Sequence, residues 1–270
     1  MKFALVNNER CEATPKAKGI CPCCGNVVIA KCGEKKAHHW AHESKKNCQN
    51  NRWETEGEWH QNWKNKFPKN WQEKIIIING EKNIADIQNE QGLVVEFQHS
   101  HIKPEEQRAR ETSYKNMIWV VDGMRLKNDF PRFQKHIESN TKLFMNGFPL
   151  HTVSFLEEVF SKNWIHCSVP VFFDFRKEPN DEEIPLYCLL PQTVSKESYS
   201  SYIFPIRRAE FISLITTNQW QKFYEDLLNG IFRISKEYEK LRQRQAEISA
   251  KIAFNRIMGF SSSHRNRRRF

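Results

Sequence analysis

Asp86 and Glu96 interrupt runs that otherwise read as protein core, Asn83–Ile87 and Leu93–Gln98. Burying a carboxylate is costly unless something compensates, and for two that converge the usual compensation is a divalent metal. The pair therefore marks the place for chemistry. Gln98 adds a third polar side chain to the same run.

A second group of residues points to a different metal. Of the 8 cysteines, most fall between Cys11 and Cys48, and Cys21-Pro-Cys-Cys24-Gly25 places Cys21 and Cys24 in a C-x-x-C turn. The glycine lets backbone amides face the thiolates, which makes one half of a zinc knuckle. Val27–Lys31, the turn Cys32-Gly33-Glu34 and Lys36–Trp40 read as a hairpin that returns His39-Trp-Ala-His42 to the first half. Cys21, Cys24 and His42 are the expected ligands, with His39 or Cys48 completing a tetrahedron; Cys23 and Cys32 are spare thiols. Four protein ligands leave no open position, so this zinc is structural.

The elements that must position the carboxylates follow from the flanking pattern. Ile75–Ile78, Asn83–Ile87 and Leu93–Gln98 are separated by Asn79-Gly80 and Gln91-Gly92, dipeptides that reverse a chain between strands, so a β-meander is expected. Before it, Trp53–Pro68 reads as a helix, with Trp59, Trp63 and Phe67 at helical spacing. Glu56, His60 and Lys64 recur at i, i+4, i+8 and share one face, which can be presented to the strands. After it, Pro104 opens a second helix carrying Arg110 and Tyr114, and the continuous apolar run Met117–Val121 reads as a buried parallel strand.

The second half carries fewer signals. Trp164–Phe175 and Leu186–Leu190 read as strands, and Phe204–Trp220 and Lys222–Ile257 as helices. The end, with Arg265, Arg267, Arg268 and Arg269, reads as a basic tail suited to sequence-independent phosphate contacts. The expected division is 1–52 zinc knuckle, 53–130 core, 131–258 C-terminal α+β region and 259–270 tail.

Charge and hydropathy narrow the partners. A net charge of +10 accompanied by 19 Phe and 8 Trp points to nucleic acid, and no stretch is apolar enough to span a membrane. Lacking a signal-like N-terminus and with its cysteines clustered for metal, the chain is expected to be cytoplasmic. Nothing in the sequence sets an oligomeric state.

Taken together in order, these groups resemble the competence-protein nuclease family (CoiA-like), a branch of the PD-(D/E)XK nuclease superfamily. The resemblance rests on C-P-x-C-G at Cys21–Gly25 with H-x-A-H at His39–His42, and on E-x-x-x-H-x-x-x-K at Glu56, His60 and Lys64. It continues through Asp86, Glu96-Phe97-Gln98 with Ser100, and Arg110 and Tyr114 before Ile118-Trp119. It implies a restriction-endonuclease-like α/β/α core that acts as a DNA endonuclease. Asp86 and Glu96 would hold Mg²⁺ or Mn²⁺, aided by Glu56 and the Phe97 carbonyl, while Ser100, Arg110 and Tyr114 would meet the substrate. Gln98 stands where the superfamily usually has lysine; it can orient water but supplies no charge, which leaves Lys64 or Arg110 as the source. The competing expectation is an inactive nuclease fold that binds nucleic acid as a scaffold in DNA uptake, recombination or repair.

Overall fold

The computed structural model describes residues 1–34, 37–43, 57–139, 142–145, 148–176, 183–195 and 200–265. The chain forms two compact units, Met1–Trp220 and Gln221–Phe270.

The first unit opens on a small sheet. Its strands are β1 (Phe3–Val6), β2 (Glu9–Glu12), β3 (Lys18–Ile20), β4 (Val27–Lys31) and β5 (His39–His42), in the order β2-β1-β3-β4-β5. Asn7 and Asn8 turn β1 into β2 with φ of 52° and 67°, the left-handed pair that a two-residue hairpin favours and that asparagine tolerates. The expected hairpin is present: β4 pairs antiparallel with β5, setting Val28 against His42 and Lys31 against His39. Met1, Ala4, Val28, Trp40 and Cys21 form its apolar core.

The larger sheet follows α1 (Glu58–Lys64). In chain order come β6 (Gln72–Ile78), β7 (Glu81–Gln88), β8 (Val94–Gln98), α2 (Pro104–Tyr114), β9 (Met117–Asp122) and α3 (Asp129–Ser139). They are followed by β10 (Lys142–Met145), β11 (Phe148–Ser154), α4 (Leu156–Val159), α5 (Lys162–Ile165), β12 (Val171–Asp174), β13 (Leu186–Leu189) and β14 (Ser200–Ile206). Then come α6 (Arg208–Thr216) and α7 (Trp220–Arg265). Among the described residues the sheet has nine strands in the order β10-β11-β14-β13-β12-β9-β8-β7-β6. The pairs β8·β9 and β9·β12 are parallel, and the remaining neighbours are antiparallel. The mixed α/β fold is the one expected, and the meander is β6-β7-β8, turned at Asn79 (φ 52°) and Gly80 (φ 82°).

Helices cover both faces where the parallel strands lie. Trp63 of α1 stacks on Phe97 of β8 at 5.6 Å, and Trp119, on the opposite face by strand alternation, donates its indole N–H to Glu111 of α2 at 3.1 Å. Every residue of β9 is buried, which explains its uninterrupted apolar run.

Three sequence expectations are corrected. Phe204–Trp220 is not one helix: its first residues belong to β14, and α6 starts at Arg208. Pro205 has no N–H for a helix and disfavours helical backbone at Phe204. Trp164 and Ile165 lie in the short helix α5, and the strand expected there begins after Pro170. The helix expected over Trp53–Pro68 is described only from Glu58, with Gly57 extended at its N-cap, and it ends at Lys64. Beyond these, Lys222–Ile257 lies within α7, while residues 266–270 of the basic tail and the Arg265 side chain are outside the described residues.

Candidate nuclease centre and metal knuckle

The meander register sets the two carboxylates against each other. Ile87 faces Val95, so the next pair along the antiparallel strands is Asp86 with Glu96. Here side chains replace the backbone ladder. The Asp86 N–H donates to Glu96 Oε1 at 3.4 Å, and the Phe97 N–H donates to Asp86 Oδ2 at 2.9 Å.

One helix on each face then supplies a cation. His60 Nε2 of α1 lies 2.9 Å from Asp86 Oδ2, and Arg110 of α2 donates to Glu96 Oε2 at 2.8 Å. The second guanidinium nitrogen of Arg110 donates to Glu106 Oε1, also at 2.8 Å, which fixes the fork. His60 is placed because its neighbours Trp59 and Trp63 both donate indole N–H groups to the buried Asp174 Oδ2, at 3.2 and 3.0 Å. Asp174 is itself clamped by Arg208 and by Arg176, the latter 3.5 Å away.

The electrostatics separate the two acids. Burial pushes the Glu96 carboxyl up to about 7; Arg110 pulls it down, and the Asp86 charge pushes it up again. Burial also acts upward on Asp86, but His60, Lys64 and the Phe97 amide together hold it below its ordinary value. Burial lowers Arg110, but Glu96, Glu106 and Asp86 outweigh it and hold the guanidinium well above its ordinary value. Their surroundings thus push these two neighbouring acids in opposite directions. Among the described residues, Asp86 Oδ1 accepts no hydrogen bond and Glu96 Oε1 accepts only the long one from Asp86, so each acid keeps an oxygen for a cation.

The remaining expected residues are distributed unevenly. Gln98 is buried and its amide donates to Ser100, at 3.0 Å to the carbonyl and 3.1 Å to Oγ. Lys64 is 0% exposed and its ammonium donates to Glu73 Oε1 at 2.8 Å, so its charge reaches Asp86 through the interior without meeting solvent. Tyr114 is half-buried against the main apolar cluster. Glu56 lies outside the described residues.

In the small sheet, Cys21, Cys24 and His42 converge, their ligand atoms all within 4.8 Å of one another, and Cys24 Sγ lies 3.3 Å from His42 Nε2. Bonds of about 2.0–2.3 Å to a shared tetrahedral ion bring donors to roughly this separation. Gly25, at φ 75°, closes the turn by donating to the Cys21 carbonyl at 2.9 Å. Burial pushes the Cys21 thiol up to about 12, against the Cys24 and Cys23 amides that favour its thiolate, and burial holds His42 toward the neutral form that binds metal. The group can hold a metal ion such as zinc. His39, three residues before His42 on the same strand, belongs to the other face by alternation; its Nδ1 sits 2.9 Å from the Ala37 carbonyl, outside this group. Cys48 lies outside the described residues.

Several residues were not singled out from sequence. Glu73 accepts the backbone N–H groups of Lys2 at 2.6 Å and Phe3 at 3.0 Å besides Lys64, joining the small sheet to the large one. His99 Nδ1 lies 2.6 Å from Asp122 Oδ2, with the histidine side chain 50% exposed. Asp174 ends the apolar run VFFD as Asp86 interrupts its own, the one signal that sequence offered.

Comparison with protein families places both regions. A family model for the competence protein CoiA N-terminal domain matches residues 5–51, and one for the CoiA nuclease-like domain matches residues 56–179. Searches of curated proteins and of solved structures each found no match.

Proposed function

From its place in the competence protein CoiA family, to which the chain belongs, we propose that this protein is a metal-dependent DNA endonuclease of the PD-(D/E)XK type. The observation that carries this reading is the opposed pair of Asp86 and Glu96, the first half-buried and the second buried, each with an oxygen left for a cation. Mg²⁺ or Mn²⁺ would be held by these two carboxylates with the Phe97 carbonyl, and Glu56 would add a further ligand. When bound, the ion lowers the pKa of water and offsets charge on the phosphate. His60 and the Phe97 amide fix Asp86 in its ionised form, and Arg110 fixes the Glu96 rotamer. Gln98, aligned by Ser100, orients the attacking water. A structural zinc held by Cys21, Cys24 and His42 steadies the small sheet, with Cys48 the remaining candidate for the fourth position.

The test is incubation of the purified protein with supercoiled, linear and single-stranded DNA, in Mg²⁺, Mn²⁺ or chelator. Cleavage is expected only with metal, and loss of cleavage is expected in Asp86→Asn. Cleavage that persists in that variant would remove the assignment. Metal analysis should find about one zinc per chain, lost in Cys24→Ser.

One observation favours the second reading. The Gln98 amide is spent on Ser100, and no lysine side chain stands in its place. Under that reading the protein binds nucleic acid as a scaffold without cutting it, and DNA binding with no cleavage under any metal would establish it.

A further inference from the structure

Beyond the carboxyl ends of β8 and β9 lies a cleft of about 220 Å³, bounded on its far side by the start of α5. Ligands of open α/β sheets gather outside the carboxyl ends of parallel strands, and β8 and β9 are parallel. Its wall nearest the acidic centre is Gln98, two residues beyond Glu96 on the same strand face, which is about 7 Å along the strand. The remaining polar lining includes Ser100, His101, Arg125, Lys162 and Asn163, and it contains no carboxylate. Arg125 follows β9 in the turn at its end, and Lys162 is the first residue of α5. Both are exposed, and neither forms a salt bridge among the described residues. The Asn163 amide is aligned by donating to the Ile102 carbonyl at 2.9 Å.

This chemistry is the reverse of the acidic centre beside it. The centre holds anionic oxygens suited to a cation; the cleft offers two cations, a histidine, hydroxyls and an amide suited to an anion. Its volume is below the ~300 Å³ at which pockets for whole small molecules begin. The fit is to a phosphate and part of its sugar, presented by a longer chain.

We propose that this cleft is a phosphate-binding subsite, in which Arg125 and Lys162 hold a backbone phosphate of the DNA strand adjoining the one at the carboxylates. The proposal rests on the nucleic-acid reading above and goes further by giving the strand a direction, from the acidic centre past Gln98 toward α5. Arg125 and Lys162 act in binding alone and take no part in the chemical step.

The test is binding of a fluorescein-labelled oligonucleotide, single-stranded and as its duplex, followed by anisotropy in chelator while potassium chloride is varied. The Arg125→Ala/Lys162→Ala double variant should bind about tenfold more weakly or worse, as loss of charge-assisted contacts implies. On the duplex, its plot of log affinity against log salt should be shallower by about 2, one released counterion for each lost phosphate contact. Lys66→Ala/Lys74→Ala removes the same charge from exposed positions away from the cleft and should leave both readouts near wild type. Unchanged affinity and slope in the first variant would overturn the proposal, as would an equal loss in the second. The outcomes separate this inference from the cleavage reading. Binding that depends on Arg125 and Lys162 in a protein that never cuts would uphold the cleft and remove the nuclease. Cutting with binding indifferent to both residues would do the opposite.

Discussion

Glu73 and Glu96 are both strand glutamates of the meander, 8% and 2% exposed, and each meets a cation at 2.8 Å, Lys64 for one and Arg110 for the other. What surrounds the pairs differs. Glu73 accepts two backbone N–H groups and the lysine, so both its oxygens are filled by donors. Glu96 faces a second carboxylate instead, and burial with that neighbour drives its carboxyl to about 7 despite Arg110. The first arrangement is satisfied as it stands and fastens two sheets together. The second sets two acids side by side, each with one cation and with an oxygen left over. Burial of an acid therefore does not by itself mark a candidate centre; a second acid beside it, with oxygens left open, does.

The comparison is broken most directly at Glu96. Replacing Glu96 by alanine removes half of the proposed metal-binding pair and should lower cleavage about a thousandfold or more, a loss of several kcal/mol in transition-state stabilisation. Glu73→Gln, which leaves the carboxylate pair intact, should retain cleavage at temperatures where the protein remains folded. Initial rates on a supercoiled substrate compare the two. Equal loss in both variants would erase the distinction between centre and seam.

Stability should rank the two sites the other way. Glu73→Gln removes the carboxylate that the fully buried Lys64 ammonium meets, and breaking a buried pair at one partner costs about 3–5 kcal/mol. Urea unfolding of Glu73→Gln should show that loss, and the double variant Lys64→Met/Glu73→Gln should recover much of it by removing the buried charge as well. Glu73 also occupies φ 46°, a left-handed conformation within a strand that non-glycine residues hold at a cost of about 1–3 kcal/mol. A double variant as unstable as the single one would show that the ion pair contributes nothing to the seam.

The same contrast explains how much could be read in advance. The meander, its turns, Asp86, Glu96, Arg110 and the Cys21, Cys24 and His42 triad were legible because local spacing carries them: alternation, Asn-Gly turns and the C-x-x-C knuckle are short-range features. The roles of Lys64 and Glu73 were not. Lys64 shares a helix face with His60, a row that can be presented to the strand carboxylates, but it meets a strand glutamate tied to the backbone of Lys2 and Phe3 some 70 residues earlier. No local period encodes that contact. His39, one of the two candidates for the fourth zinc ligand, lies on the other face of β5 from His42, because residues three apart on a strand alternate faces. In the span Phe204–Trp220, Pro205 belongs to β14 and the helix starts only at Arg208.

The finest difference between the two glutamates lies in their response to pH. Glu96 has an ordinary carboxyl pKa of 4.5 when unfolded and about 7 when folded. Between those values the folded protein holds a proton that the unfolded chain has lost, so stability falls as pH rises through this window and levels off above it. In the presence of chelator, the unfolding free energy of wild type minus that of Glu96→Gln should therefore decline from about pH 4.5 to about pH 7. Asp86 acts in the opposite sense: its folded carboxyl lies below its ordinary 3.8, so its contribution is already in place above pH 4 and is lost only on stronger acidification. The Glu96 window is thus free of it. Gln98→Lys sharpens the measurement, because an ammonium beside Glu96 favours the charged carboxylate and should move the decline toward lower pH. A wild-type-minus-variant difference that stays flat between pH 4.5 and 7 would mean that Glu96 ionises like an ordinary surface acid, and with it the reason for setting this glutamate apart from Glu73 would go.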